Sequence, residues 1–190
     1  MNFLNILLRG GLVVSPINTK RLDVLISNSK IIKIGRHLSD NTAKVIDCSG
    51  KLIFPGFIDA HTHFDLEVSD TVTADDFSSG TKAAVCGGTT TIIDFATQNK
   101  GETLSHALNN WHLKAFSKSS CDYAFHMAIS DWNDSVKEEI VAMFEQGVTS
   151  FKVYMTYDAM MLSDEEIFDV LSTLKKYGGI AGVHCENDGV

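Results

Sequence analysis

The sequence predicts a mixed α/β fold, a partial (β/α)8 barrel preceded by a small β domain, and three observations carry that prediction. Up to about Lys51 the chain reads only as strand and turn. From Leu52 onward, strand-like runs alternate with helix-like runs at the roughly 30-residue spacing of a strand-helix-strand unit. The residues suited to metal or acid-base chemistry then fall at the C-terminal ends of several predicted strands, where barrel enzymes gather their catalytic groups. Alternation alone would fit a doubly wound open sheet equally well. Against that reading, Gly87-Gly88 precedes its strand instead of following it, and nothing matches G-x-G-x-x-G. The expected domains are residues 1–51 and 52–190.

In the first segment, residues 4–8, 12–14, 22–26, 30–34 and 44–47 are short β-prone runs. They are separated by Gly10-Gly11, Ser15-Pro16, Asn28-Ser29 and Ser49-Gly50. Residues 21–35 read as a hairpin, because Asn28 and Ser29 tolerate tight-turn dihedrals. In the second segment the expected strands are 52–60, 89–96, 123–129, 150–156 and 180–185. The expected helices are 77–86, closed by Gly87-Gly88, 103–118, 135–146, closed by Gly147, and 164–177, closed by Gly178-Gly179. Ser163 and Glu166 form a capping-box pattern at the start of the last one.

Composition excludes several classes. The 190 residues suffice for one sizeable core, and 44% hydrophobic with 21% charged is ordinary for a globular chain. The apolar opening, residues 1–8, has no basic leader or small-residue cleavage site and suits a first strand better than a signal peptide. No other apolar run approaches the ~20 residues of a membrane-spanning helix. A net charge of -8 disfavours nucleic acid and anionic membranes as partners, since both call for clustered Lys and Arg. Cys48, Cys86, Cys121 and Cys185 show no Cys-x-x-Cys spacing, so they read as buried thiols in a reducing compartment, and a cytoplasmic location is expected.

The chemistry concentrates in Phe54-Pro55-Gly56-Phe57-Ile58-Asp59-Ala60-His61-Thr62-His63. Side chains two apart on a strand project to one side, so Asp59, His61 and His63 share a face. Two neutral imidazoles so spaced reach a common cation without bending the backbone. Alone, His-x-His is a weak metal signal. The Pro-Gly turn before it and the polar segment 67–76 after it strengthen the reading, and His184 adds an imidazole from another strand end. Lys152 is the unusual member: an ammonium among metal ligands is repelled, so it belongs there only if neutral or modified. Taken by itself, Lys152 reads as a strand-end lysine reaching for solvent. Asp59 is a candidate hydrogen-bond partner of an imidazole. Asp94 reads as a satisfied structural carboxylate, His126 as a hydrogen-bonded core histidine, and residues 64–71 as a loop over the site that sorts substrates.

Residues 54–66 resemble the first barrel strand of the amidohydrolase superfamily, and Thr71-Val72-Thr73-Ala74-Asp75-Asp76-Phe77 resembles its dihydropyrimidinase and D-hydantoinase branch. The likeness continues through Gly87-Gly88-Thr89-Thr90-Thr91-Ile92-Ile93-Asp94-Phe95, Phe151-Lys152-Val153-Tyr154-Met155 and His184-Cys185-Glu186-Asn187. Members of that family are much longer, so the chain resembles the N-terminal portion of one, and the resemblance implies that its opening β domain is the N-terminal part of a β-sandwich. The resemblance implies a binuclear-metal cyclic amide hydrolase that opens dihydropyrimidine or hydantoin rings to N-carbamoyl amino acids. It implies two divalent ions, zinc with manganese or cobalt as alternatives. His61 and His63 would bind the more buried ion, His184 the more exposed one, and a carbamylated Lys152 would bridge them. Tyr157 matches the tyrosine whose hydroxyl donates to the oxyanion. The family's further metal-binding histidine and its proton-shuttling aspartate lie on later strands.

Asn187-Asp188-Gly189 departs from the Asn-Gly-Asp that relatives usually carry. Allantoinase and dihydroorotase are the rivals within the class, and a non-catalytic dihydropyrimidinase-like scaffold is the rival outside it. Retention of His61, His63, Lys152 and His184 argues against the scaffold. The resemblance also implies a small cyclic amide as the binding partner and a homo-oligomer, dimer or tetramer. The 190-residue chain by itself is expected to be inactive.

Overall fold

The computed structural model describes residues 5–68 and 70–189. By its contacts the chain divides into two compact units, Met1–Pro55 and Gly56–Val190. The contact boundary thus falls at Pro55, not at Lys51, because Leu52 and Ile53 pair with the first strand of the first unit.

In the first unit, β1 (Ile6–Val14) pairs antiparallel with β2 (Thr19–Ser27), which pairs antiparallel with β3 (Lys30–Gly35). The other edge of β1 is shared in parallel by β4 (Lys44–Asp47), on residues 6–9, and β5 (Leu52–Ile53), on Leu12 and Val13. Gly10-Gly11, expected as a break, is a bulge within one strand: the register shifts between Leu8 and Gly11, and Gly10 takes a φ of 73° that favours glycine. Leu4, expected to begin that strand, lies outside the described residues. Asn28 and Ser29 take φ values of 49° and 61°, two consecutive left-handed residues that close the expected hairpin tightly.

The second unit carries a parallel sheet of β6 (Phe57–Thr62), β9 (Thr89–Thr97), β10 (Asp122–Ala128), β11 (Ser150–Tyr154) and β12 (Ile180–His184), ordered β12-β11-β10-β9-β6. Between β6 and β9 lies a short antiparallel pair, β7 (Glu67–Val68) and β8 (Thr71–Val72). The run 52–60, expected as one strand, is interrupted at Pro55-Gly56. Proline offers no N–H to a ladder, and a Cβ on Gly56 would stand 1.9 Å from Thr90 Oγ1, so only glycine lets the chain pass β9 there. Helices α1 (Phe77–Gly87), α2 (Leu104–Ala115), α3 (Asp134–Glu145) and α4 (Asp164–Tyr177) fill the crossovers.

Each helix begins where a side chain satisfies its first N–H groups: Asp76, Thr103, Asn133 and Ser163 accept from the backbone three residues on. The capping box of Ser163 and Glu166 is formed, and Gly88 and Gly178 close α1 and α4 in the left-handed region. The second helix stops at Ala115, short of the expected 118, because Phe116 leaves helical backbone with a ψ of 129°. The core lies between helices and sheet, with Phe77, Leu108, Met127, Ile140, Phe151 and Leu174 among its fully enclosed side chains. Among the described residues no helix is long and apolar enough to cross a membrane. The cysteines are all free, as expected, but not all buried: Cys86 and Cys185 are exposed.

Because the five strands are parallel, their C-terminal ends share one edge of the sheet. His61, Lys152 and His184 come from three of them.

Candidate metal centre

β6 ends at Thr62, so His61 is within the strand and His63 is just past it. Their Nε2 atoms are 3.2 Å apart and their rings meet at 78°. Both rings rest on Phe95 of β9, with centroid separations of 4.7 and 4.8 Å, so they share a side as alternation predicts. Two nitrogens bound to one tetrahedral ion at about 2.0–2.1 Å stand roughly 3.3 Å apart, so this pair fits a single cation. Burial, the main cause, pushes the His63 imidazole below its usual range. The Asp94 carboxylate opposes this, and the charges of His61 and Lys152 reinforce it. Neutral imidazole is the form that binds metal. The other ring nitrogen of His63, Nδ1, is buried and has no hydrogen-bond partner among the described residues.

Lys152 approaches from β11. Its Nζ lies 5.4 Å from the centre of the Phe95 ring and 5.3 Å from that of Tyr154. With His61, Phe95 and His126 it lines a cavity of about 220 Å³. His184, at the end of β12, is paired in register with Tyr154 and stacks on it at 5.8 Å, while Nε2 meets Glu186 Oε2 at 2.9 Å. The ring of Tyr157 lies 5.2 Å from that of His184. Lys152 therefore touches both aromatic platforms, Phe95 under the first two histidines and Tyr154 under the third. Among the described residues no three His, Cys, Asp or Glu side chains converge into a complete metal-holding set.

Tyr157 follows β11 with a φ of 72°, left-handed for a non-glycine, and the surrounding turn holds it there. Its carbonyl accepts from Met160 N and Met161 N at 2.7 and 2.8 Å, and Lys100 Nζ donates to the next carbonyl, Asp158 O, at 2.9 Å. Thr156 Oγ1 donates to Asp188 Oδ1 at 2.6 Å, so the unusual order Asn187-Asp188-Gly189 supplies a tie between the loop after β12 and the Tyr157 turn.

The other candidates separate cleanly. Asp59 Oδ1 accepts the backbone N–H of His61 at 3.1 Å, and among the described residues no bond from Asp59 to an imidazole is formed. His126 is engaged at both nitrogens, Nε2 donating to Ala60 O at 3.0 Å and Nδ1 accepting from Ser150 Oγ, so it is hydrogen-bonded as expected, but half-buried on the cavity side and not in the core. Asp94 is 1% exposed, and burial pushes its carboxyl up against the pull of four hydrogen bonds, the reading expected of a satisfied carboxylate. The loop 64–71 contains the β7–β8 pair, with Ser69 outside the described residues. Sequence reasoning missed Phe95 and Glu186. Glu186 stands two residues from His184, a spacing that points to it. The Phe95 contact depends on the register between β6 and β9, which no local pattern encodes.

A parallel partial barrel with an imidazole pair at one strand end, a histidine at another and a lysine within the strand between defines a class. Residues 52–189 match the Amidohydrolase family, and the chain belongs to it. Within that family it is similar to D-hydantoinase from Geobacillus stearothermophilus, 46% identical over 186 residues that make 97% of this chain and 40% of the relative. It is similar also to dihydropyrimidinase from Dictyostelium discoideum, 42% identical over 96% of this chain and 37% of that protein. A crystal structure of a D-hydantoinase superposes with a TM-score of 0.95 at 43% identity, covering 98% of this chain and 41% of that one. The expected architecture, a partial barrel preceded by a β-sandwich segment, is the one these residues share with it. The chain spans about two fifths of the length of the relatives it matches.

Proposed function

We propose that the protein carrying this chain is a metal-dependent hydrolase that opens a cyclic amide, a dihydropyrimidine or hydantoin ring, to an N-carbamoyl amino acid. The observation that carries the reading is the 3.2 Å approach of His61 and His63 Nε2 on the platform that Lys152 also touches. The similarity to D-hydantoinases and dihydropyrimidinases supports this ring chemistry over that of allantoinase or dihydroorotase.

His61 and His63 would hold one ion and His184 the other, with the ion on His184 replacing the proton that it shares with Glu186. Two divalent ions, zinc or else manganese or cobalt, supply Lewis acidity toward the amide carbonyl and an activated water when bound. Lys152 contributes as a carbamate: its neutral amine adds to carbon dioxide and loses a proton, which turns a repelled cation into a carboxylate able to bridge. Phe95 closes the apolar side of the imidazole pair against water. Tyr157, half exposed on its turn, donates a hydrogen bond from its hydroxyl to the oxygen on which negative charge develops. Unpaired cysteines fit a cytoplasmic location, and the assembly is a homo-oligomer.

Lys152→Ala in a full-length background tests the reading. We expect loss of the paired ions and of ring opening on dihydrouracil and hydantoin, with short-chain carboxylic acids restoring part of both. Full metal content and normal turnover in that variant would remove Lys152 from the bridge, and a wild-type protein without metal or turnover would return the scaffold reading.

A further inference from the structure

A carboxylate that the proposed chemistry does not use lies directly behind the imidazole pair. Asp94, in β9, is 1% exposed and accepts four hydrogen bonds. Oδ2 takes Thr62 Oγ1 at 2.8 Å and Phe64 N at 3.0 Å; Oδ1 takes Phe95 N at 2.8 Å and Trp111 Nε1 at 3.0 Å. Thr62 and Phe64 are the two neighbours of His63 in the chain, and Phe95 is the ring on which His61 and His63 rest. One side chain thus ties the Thr62 hydroxyl and the Phe64 backbone, on the two sides of a ligand, and bonds the backbone N–H of the residue whose ring lies beneath it.

We propose that Asp94 is the positioning residue of the imidazole pair and that Trp111 of α2 anchors it; this rests on the metal-centre reading above. A metal-ligating histidine usually donates its second nitrogen to a carboxylate or carbonyl, and that bond fixes the ring. His63 Nδ1 has no such partner among the described residues. The orientation of His63 must then come from its backbone and from the Phe95 stack, at 26° and 4.8 Å, and Asp94 bonds to both chain neighbours of His63 and to the Phe95 N–H. Helix α2 reaches the same segment a second time: Lys114 lies 4.2 Å over the Trp111 ring and donates from Nζ to Asp65 O at 2.7 Å. The sequence of contacts runs from α2 through Asp94 to Thr62 and Phe64, the chain neighbours of His63.

The test is zinc affinity in a full-length background, measured on metal-free protein by competition with a chromophoric chelator and corrected for the folded fraction. Asp94→Asn keeps the shape but leaves one oxygen for four donors, so its NH₂ faces N–H groups. Zinc binding at the first site should weaken about 10–100-fold, the usual cost of losing an outer partner of a ligand. Thr62→Val and Trp111→Phe each remove a single donor while keeping an apolar side chain in place; they should weaken zinc in the same direction by less. These two carry the test if Asp94→Asn does not fold. Variants that melt earlier but bind zinc as tightly as wild type when folded would overturn the positioning role alone and leave Asp94 a stabilising residue. Wild-type protein that takes up none of zinc, manganese and cobalt would overturn the metal-centre reading and this proposal together.

Discussion

Gly80→Ala probes how tightly α1 is packed on the strand end that bears the ligands. Gly80 is buried in the first turns of α1. A Cβ built there would stand 2.2 Å from Phe64 Cε1, 2.6 Å from Cζ and 2.7 Å from Cδ1. Ordinary contact begins near 3.4 Å, so the ring edge must retreat by about 1.2 Å. It has little room to do so, because the ring meets the fully buried Phe77 edge-on at 5.5 Å and the Phe64 backbone N–H is held by Asp94. Overpacking of this kind costs about 1–3 kcal/mol, and replacing glycine by alanine in a helix returns up to about 1 kcal/mol. The net expectation is a loss of roughly 1–2 kcal/mol. The assay is urea unfolding of metal-free, full-length protein, with zinc affinity as a second reading, because Phe64 is chain neighbour to His63. A variant at least as stable as wild type, with zinc bound equally well, would refute the packing argument.

Tyr157→Phe removes one hydroxyl and no ligand. Turnover should fall by about 10²–10³ with metal content unchanged, and either normal turnover or lost metal would show the role to be wrong. Asp169 governs a different property: bonds from Lys137 Nζ at 2.7 and 2.8 Å and from Trp132 Nε1 at 3.0 Å hold its carboxyl below the usual range. A carboxyl lowered on folding adds stability that is present above its unfolded value near 3.8 and lost as pH falls through the lower folded one. Asp169→Asn should therefore flatten the acid limb of the stability profile between α3 and α4, and an unchanged limb would show that the group contributes nothing there.

The fourth helix, expected at 164–177 and found at those residues, was legible because Ser163, Glu166 and Gly178 satisfy both of its ends locally. The faces of His61 and His63 were legible for the same reason, since alternation along a strand needs no partner. What escaped was set by distant pairing. Gly10-Gly11 reads as a terminator until β2 continues alongside it as a bulge, and 52–60 reads as one strand until its first residues join β1 and the rest joins β9. Cys86 and Cys185 read as buried thiols from the lack of Cys-x-x-Cys spacing, but which face a residue presents near an element's end is decided by packing. The separation of the first two histidines from His184 likewise depends on three intervening strands, whose curvature the sequence does not state.

His126 bears on that curvature. It sits in β10, whereas the carbonyl it donates to, Ala60 O, belongs to β6, and β9 lies between them. In a flat sheet, strands two places apart are roughly 9.5 Å from one another, too far for an imidazole that must also pass over the intervening Phe95 ring at 4.8 Å. The 3.0 Å bond can form only on the concave side of a bent sheet, with the Ala60 carbonyl turned inward where the register of β6 on β9 slips after Asp59. Eight strands that share one full turn rotate by about 45° apiece, and this ring is a chord drawn across the first part of that arc. A smaller residue at 126 would leave the arc without its chord.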